Sequence, residues 1–484
     1  MRKKLSITLA AATAAALTGG LLVATAGPAA AAPGLDSDFN GDGYRDVAVT
    51  APLASVNGKS KAGVVTVLYG SPGGAGAKRI QTLSQNSAGV PGAAETGDQF
   101  GSHTAPGDYN GDGYADLAVG APGEDAGSDT DGGTVAILWG GSGGLSGGTT
   151  VSDPARSTHD WFGQVVAAGD YNGDGRDDLA IASDINKVDI YRGGFTKSGS
   201  TGGRYGVTTP ILKVKGLDVF NLTPGDIDAD GRTDLVVDGY EGDSDDEYSY
   251  NANYWLPGSS SGVTTSGAQK LPAGIISDIG DVDGDGRGDI VIGNQWDSGS
   301  NSAGTSKGGA VEILYGTSSG PDGAAETIDQ NTAGVPGSNE TGDSFGYEVS
   351  LGDINGDGHD DLVVGAPGED LDGVKDAGMV SVIYGWTGGL RETGSQALDQ
   401  NTPGVPGGGE ENDGFGGEVL LSDVTGDGKA DLTVGTPWEN TGNGYAVVFN
   451  SDGAKIDPAG RGIGLTPAGI SSAGTPLFGF HVNG

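Results

Sequence analysis

The sequence has no cysteine, two methionines and four histidines, and aromatic residues make up only 6% of it. Without cysteine the chain can form no disulfide, offer no thiol nucleophile and carry no lipid-modified cysteine. Cations are scarce as well: 25 lysines and arginines face 65 aspartates and glutamates, a net charge of −40. Nucleic acid and anionic membrane surfaces need clustered basic residues, so neither is expected as a partner. Long apolar runs are missing except from Leu5 to Val23, which follows Arg2, Lys3 and Lys4 and precedes a small-residue run from Pro28. That order predicts a secretory signal peptide over residues 1–31, cleaved after Ala31 and without a twin arginine. No later stretch approaches the roughly 18 consecutive apolar residues of a membrane span. Residues 32–484 are therefore expected to be secreted, extracellular, soluble and monomeric.

What the sequence has in excess is glycine, 96 residues, much of it in a nine-residue stretch that recurs. In the copy running from Asp353 to Asp361, carboxylate or amide oxygens stand at positions 1, 3, 5 and 9. Glycine at position 6 permits a left-handed turn that lets those oxygens converge on a hard cation, with the carbonyl of position 7 as a further ligand. The expected ion is calcium.

Seven copies share this register. The first three predicted ligand sets are Asp38, Asn40, Asp42, Tyr44 and Asp46; Asp108, Asn110, Asp112, Tyr114 and Asp116; and Asp170, Asn172, Asp174, Arg176 and Asp178. Blades four and five carry an aspartate at position 3, giving Asp226, Asp228, Asp230, Arg232 and Asp234, then Asp281, Asp283, Asp285, Arg287 and Asp289. The last two sets are Asp353, Asn355, Asp357, His359 and Asp361, and Asp423, Thr425, Asp427, Lys429 and Asp431. Thr425 makes the seventh the weakest, since a neutral hydroxyl replaces a carboxylate or amide. One copy alone would read as an acidic turn, because Asp, Asn and Gly dominate turns. Seven in register predict about seven bound ions and explain much of the excess acid.

An EF-hand loop begins the same way but needs a glutamate at position 12 and flanking helices. Position 12 here is Val49, Val119, Ile181, Val237, Ile292, Val364 or Val434. Each loop runs instead into a short apolar, β-branched segment that reads as a buried strand.

First ligands recur every 55 to 72 residues, with four strand-like segments between them, which predicts propeller blades. The fullest blade has strands at Phe345, Leu362 to Gly365, Met379 to Tyr384 and near Gln396 to Leu398. The expected fold is all-β, a seven-bladed β-propeller with calcium loops in the hairpins between first and second strands. Blade one lacks a Phe-Gly strand before Asp38, yet the chain ends on one, Leu477 to Gly484. That strand is expected to complete blade one, close the ring and remove exposed sheet edges.

Phe-Gly stands eight residues before the first ligand at Phe100-Gly101, Phe162-Gly163, Phe345-Gly346 and Phe415-Gly416. Gly-Ala-Pro follows the second strand at Gly120-Ala121-Pro122 and Gly365-Ala366-Pro367, altered to Thr50-Ala51-Pro52 and Gly435-Thr436-Pro437. In these elements the chain resembles the FG-GAP repeats of the integrin α-subunit N-terminal propeller and of secreted bacterial proteins. The resemblance weakens in blades three to five, where Ala182-Ser183-Asp184, Asp238-Gly239-Tyr240 and Gly293-Asn294-Gln295 replace the second element. In blades four and five Asp218-Val219 and Ala273-Gly274 replace the first. It implies a binding or adhesion module whose partner, an extracellular glycan or protein, contacts the face opposite the calcium loops.

On that face the long segments before Phe100, Phe345 and Phe415 carry Glu95, Asp98, Glu340 and Asp343, and the other loops add Trp296 and Trp438. These are the candidate ligand contacts, read as unpaired polar and aromatic groups on a rigid scaffold. The run from Glu241 to Trp255, with Tyr248, Tyr250 and Tyr254, reads as a solvated acidic loop followed by a third strand. His103 and His481 hold the position where blades six and seven carry Glu348 and Glu418, so the four would meet on consecutive inner strands. Such mixed groups suit acid–base work, but no nucleophile accompanies them, and no catalytic residue is assigned. The alternative function is an extracellular enzyme acting on polysaccharide or phosphoester, which would need a separate catalytic domain.

Overall fold

Seven segments of the chain each fold into a four-stranded antiparallel sheet, in a computed structural model that describes residues 36–156, 158–211, 219–242, 249–298 and 306–484. Blade six runs through Glu348–Gly352, Asp361–Ala366, Met379–Trp386 and Gly389–Leu398, paired in that order. Its outer strands are longer than the sequence suggests, because the third and fourth join in a tight turn at Trp386 and Gly389. The described residues form an all-β seven-bladed β-propeller within the unit Pro33–Gly484. The expected signal peptide, together with Asp218 and Tyr248, lies outside the described residues.

The second strand of a blade is buried along its whole length, as in Asp361–Ala366 and Asp116–Ala121. A sheet packed on both faces needs apolar residues at consecutive positions, which is why these strands read as continuous runs. Between the blades sit the residues at position 2 of the nine-residue loops. Phe39, Tyr109, Tyr171, Ile227, Val282, Ile354 and Val424 are all essentially inaccessible.

Phe-Gly and Gly-Ala-Pro meet across blades. Gly346, Gly416 and Gly479 have φ between 86° and 91°, and their carbonyls turn onto glycines of the preceding blade. A Cβ on Gly365 would stand 2.1 Å from the carbonyl oxygen of Gly416, so that position accepts only glycine.

Inner strands neighbour one another around a central cavity of 1210 Å³. In blade one, Val47–Ala51 pairs on one side with Val64–Leu68 and on the other with Val482–Asn483, Val49 standing opposite Val482. The segment from Glu241 is no loop at its ends: Asp234–Gly242 and Ser249–Leu256 form one long hairpin, with Glu241 opposite Tyr250. Among the described residues no helix is long and apolar enough to cross a membrane.

Candidate functional site

The nine-residue loops are built from their own backbone. In blade six, Asp353 at position 1 accepts the N–H groups of Gly356 (2.7 Å) and Asp357 (3.2 Å) on Oδ1 and of Gly358 (2.8 Å) on Oδ2. Asp38, Asp108 and Asp423 repeat the pattern, and Asp170, Asp226 and Asp281 take the N–H groups of positions 5 and 6. The glycines at position 6 have φ of 82–87°, the left-handed conformation the spacing requires.

Position 9 is fixed in the same way in all seven blades. Its Oδ1 accepts an N–H from the end of the third strand: Gly70 for Asp46, Gly140 for Asp116, Gly193 for Asp178, Gly258 for Asp234, Gly316 for Asp289, Gly385 for Asp361 and Ser451 for Asp431, at 2.7–2.9 Å. These carboxylates are buried beside other carboxylates. Burial, reinforced by the neighbouring acids, pushes Asp46 and Asp116 up to about 8 and Asp289 and Asp361 to about 7.

At position 3, Asn110 and Asn172 turn their amides onto Asp116 (2.9 Å) and Asp178 (3.0 Å). Blades four and five place a fourth carboxylate there, Asp228 and Asp283. The oxygens of Asp226, Asp228 and Asp234 lie within 4.8 Å of one another, as do those of Asp281, Asp283 and Asp285. An all-oxygen set, concave and crowded with negative charge, fits a divalent cation: the ion would neutralise carboxylates that burial otherwise drives toward protonation.

Position 7 does more than offer a carbonyl. Arg232 and Arg287 reach the position 5 carboxylates Asp230 (2.5 Å) and Asp285 (2.6 Å) of their own loops. In five blades the position 7 side chain lies over the position 4 glycine of the preceding blade: Tyr114 over Gly41, Arg232 over Gly173, His359 over Gly284, Lys429 over Gly356 and Tyr44 over Gly426. A constant spacing carried this contact in the sequence, but it joins neighbouring copies and is invisible when each is read alone.

On the opposite face the expectation of unpaired polar groups needs correcting. Asp98 and Asp343 are 2% and 3% exposed and accept the backbone N–H groups of Glu95 and Glu340, at 2.5 and 2.6 Å. They hold the loops, whereas Glu95 and Glu340 themselves are exposed. Three glutamines at the start of these loops reach across to the next blade, Gln85 to Glu124 (2.5 Å), Gln330 to Glu369 (2.6 Å) and Gln400 to Glu439 (2.7 Å). Each pair is separated by 39 residues, a regularity legible in the sequence. Trp296 donates its indole N–H to Asn251 at 3.0 Å.

What this face does leave open is a groove of 660 Å³ at the junction of blades six and seven, bordered by Tyr347, Glu410, Glu411, Asn412, Trp438 and Thr441. Gly414 and Gly417 seat the Trp438 ring, since a Cβ on either would come within 2.5 or 2.8 Å of it. Tyr347 meets the ring edge-on, centroids 6.0 Å apart. Five non-glycine residues of the groove, Ser344, Asp376, Asn412, Thr441 and Leu477, hold φ between 49° and 66°. Ser344 and Leu477 share this conformation with Gln99 and Trp161 of other blades, Asp376 with Lys61 and Asp131, and Asn412 with Gly97 and Gly342, so there it belongs to the repeat; Thr441, which is β-branched, is the strained position particular to the groove.

Comparison with known proteins agrees with this architecture. The FG-GAP repeat family matches residues 29–68, 100–138, 345–383 and 415–449, and an FG-GAP-like repeat matches residues 170–237. Over 148 residues the chain is 37% identical to phosphatidylinositol-glycan-specific phospholipase D of Mus musculus, which is 30% of this chain and 17% of that protein. Integrin alpha-PS2 of Drosophila melanogaster is 30% identical over 153 residues, 30% of this chain and 10% of the integrin. The matched stretch thus spans less than a fifth of either relative. Among solved structures, one titled "Structure of Dos1 propeller" covers 74% of this chain and 71% of its own, at 12% identity and a TM-score of 0.38. These matches show that the chain carries FG-GAP repeats and is similar to integrin alpha subunits.

Proposed function

We propose that the chain is an exported, calcium-stabilised binding module that recognises an extracellular glycan or protein through the face opposite the nine-residue loops. The observation that carries this reading is the Trp438 groove: an aromatic ring seated on glycines, bordered by free carboxylates and an amide. A flat aromatic face stacks on the apolar side of a sugar or a peptide side chain, while the polar border orients it. In this reading Glu95, Glu340, Trp296 and Trp438 lie on the contact face, and Asp98 and Asp343 support it.

Calcium is the ion we assign to the loops, because their donors are oxygen only and extracellular modules of this kind bind it at about 10⁻⁴ to 10⁻³ M. All seven sets are included, Asp38 to Asp46 through Asp423 to Asp431. The pairing of Val482–Asn483 with blade one supports closure of the ring by the C-terminal strand. The apolar run at residues 5–23, behind three basic residues, supports export as a signal peptide.

A glycan and extracellular-protein screen, run with calcium and with chelator, tests the proposal. The expected result is a ligand bound only with calcium, whose binding falls at least tenfold in Trp438→Ala while the melting temperature holds. A ligand bound equally well by Trp438→Ala and by Glu410→Gln/Glu411→Gln contradicts the placement. The phospholipase D relatives favour a second reading, a phosphoester-cleaving role; calcium-dependent hydrolysis of a phosphodiester by the purified chain would put it first.

A further inference from the structure

We infer that the Trp438 groove takes a lysine or arginine side chain from a basic segment of a partner protein; this rests on the binding role proposed above and narrows its ligand.

The groove exists because blade seven departs from the repeat at several positions at once. Trp438 holds the place of Gly123 in blade two and of Gly368 in blade six. Those glycines donate their N–H groups to the carbonyls of Asp98 (3.1 Å) and Asp343 (3.0 Å). A Cβ on them would stand 2.1 and 1.9 Å from the carbonyl oxygens of Gly97 and Gly342, so the two backbones touch there and leave no room for a side chain. In blade seven the facing loop reads Glu410-Glu411-Asn412-Asp413-Gly414, against Glu95-Thr96-Gly97-Asp98-Gln99 and Glu340-Thr341-Gly342-Asp343-Ser344. The side chain lost at Gly414 makes space for the indole gained at Trp438, which a Cβ on Gly414 would meet at 2.5 Å. The ring is only partly buried and borders the open groove.

The same departures add charge. Glu411 replaces the threonine of blades two and six, so two consecutive exposed glutamates stand at the rim. Asp376 and the buried Asp413 also line the groove, and no lysine, arginine or histidine does. Asp413 accepts the N–H of Glu410 at 2.7 Å and so supports the loop. Lys375 is committed to Asp376 at 2.6 Å, which leaves Glu410 and Glu411 to act on a ligand.

Carboxylates beside an aromatic face suit a cation, since the charges attract it and the ring quadrupole holds it over the face. A guanidinium has both matching features, a plane that stacks on the indole and a fork of donors for carboxylates. A neutral sugar would also stack on the ring, but gains nothing from the charge that Glu411 adds.

The test follows Trp438 itself, in calcium-loaded protein labelled with fluorotryptophan. Trp438→Phe assigns one of the six tryptophan fluorine signals. A short glycine–arginine peptide should shift that signal saturably, and the same peptide with citrulline, which keeps the shape of arginine without its charge, should not. Glu410→Gln/Glu411→Gln should weaken binding of the arginine peptide at least ~5-fold. Asp160→Asn/Asp322→Asn, which removes two exposed charges in blades three and five, should change it less than ~2-fold. Equal weakening by the two double variants would show that overall acidity draws the peptide, and overturns the inference. A neutral oligosaccharide that shifts the Trp438 signal where the arginine peptide does not also overturns it, while leaving the groove its binding role. Should a ligand from the screen bind without moving the Trp438 signal, and the arginine peptide not move it either, both the inference and that role fall.

Discussion

A Cβ placed on Gly284 would stand 2.4 Å from Cε1 of His359, the position 7 residue of the next blade's loop. Adjoining loops are also bonded, Asp360 donating its N–H to the carbonyl of Asp281 at 2.9 Å. The nine-residue loops thus form a chain of contacts around one face, so an ion bound in one loop should affect its neighbours.

Gly284→Ala should therefore be more damaging than Gly286→Ala. Both glycines have positive φ, 74° and 85°, which costs an alanine about 1–3 kcal/mol. Only Gly284 is also covered by a neighbouring ring; around Gly286 there is open space. Thermal melts of the two variants in calcium check this, and equal losses would show that the contact carries no weight.

Asp238 predicts a pH dependence away from the loops. It is buried and accepts bonds from Asn221 (2.9 Å), Ser277 (2.8 Å) and Asn253 (2.5 Å), yet burial outweighs these and raises it to about 6. A folded pKa above the unfolded value means that the folded state holds the proton longer. Its contribution is fully present below pH ~4 and lost as pH rises through about 6, on the order of 3 kcal/mol. The stability difference between the wild type and Asp238→Asn, measured by denaturant unfolding, should shift in favour of the variant across that window. A constant difference from pH 4 to 7 contradicts it.

Removing Leu477 to Gly484 takes away the strand paired with Val47–Ala51 and the Phe478 side chain buried in the same cluster. Deletion should cause aggregation or loss of cooperative unfolding, since an edge of blade one is then exposed. A truncated monomer with an unchanged melting temperature would place closure elsewhere.

Much of this was legible in the sequence, because the repeat supplies seven independent readings of one pattern. Position 6 glycines, apolar second strands and Phe-Gly all follow from local chain geometry. The binding face was harder to read. Asp98 and Asp343 resemble free acidic contacts by composition, but their role as acceptors for backbone N–H groups depends on how each long loop folds back on itself. Trp438 reads as one more loop aromatic until Gly414 and Gly417 are seen to shape a seat for it from another segment.

Consequently, Asp343→Ala should lower the melting temperature and affect ligand binding only indirectly, while Glu340→Ala should leave stability nearly unchanged. The buried carboxylate satisfies an N–H at 2.6 Å; the exposed one is a surface substitution within about 0.5 kcal/mol. Paired melts decide it, and equal stability of the two variants would show that Asp343 is not a loop support.

The most direct test of the calcium assignment is the unfolding midpoint of the protein in ~1 mM calcium against excess chelator. At Kd of about 10⁻⁴ to 10⁻³ M, each site stabilises the fold by about 0.4–1.4 kcal/mol. Seven sites give about 3–10 kcal/mol, a fall of roughly 3–10 °C on chelation for a chain of this length. A midpoint that does not move on chelation would contradict the account.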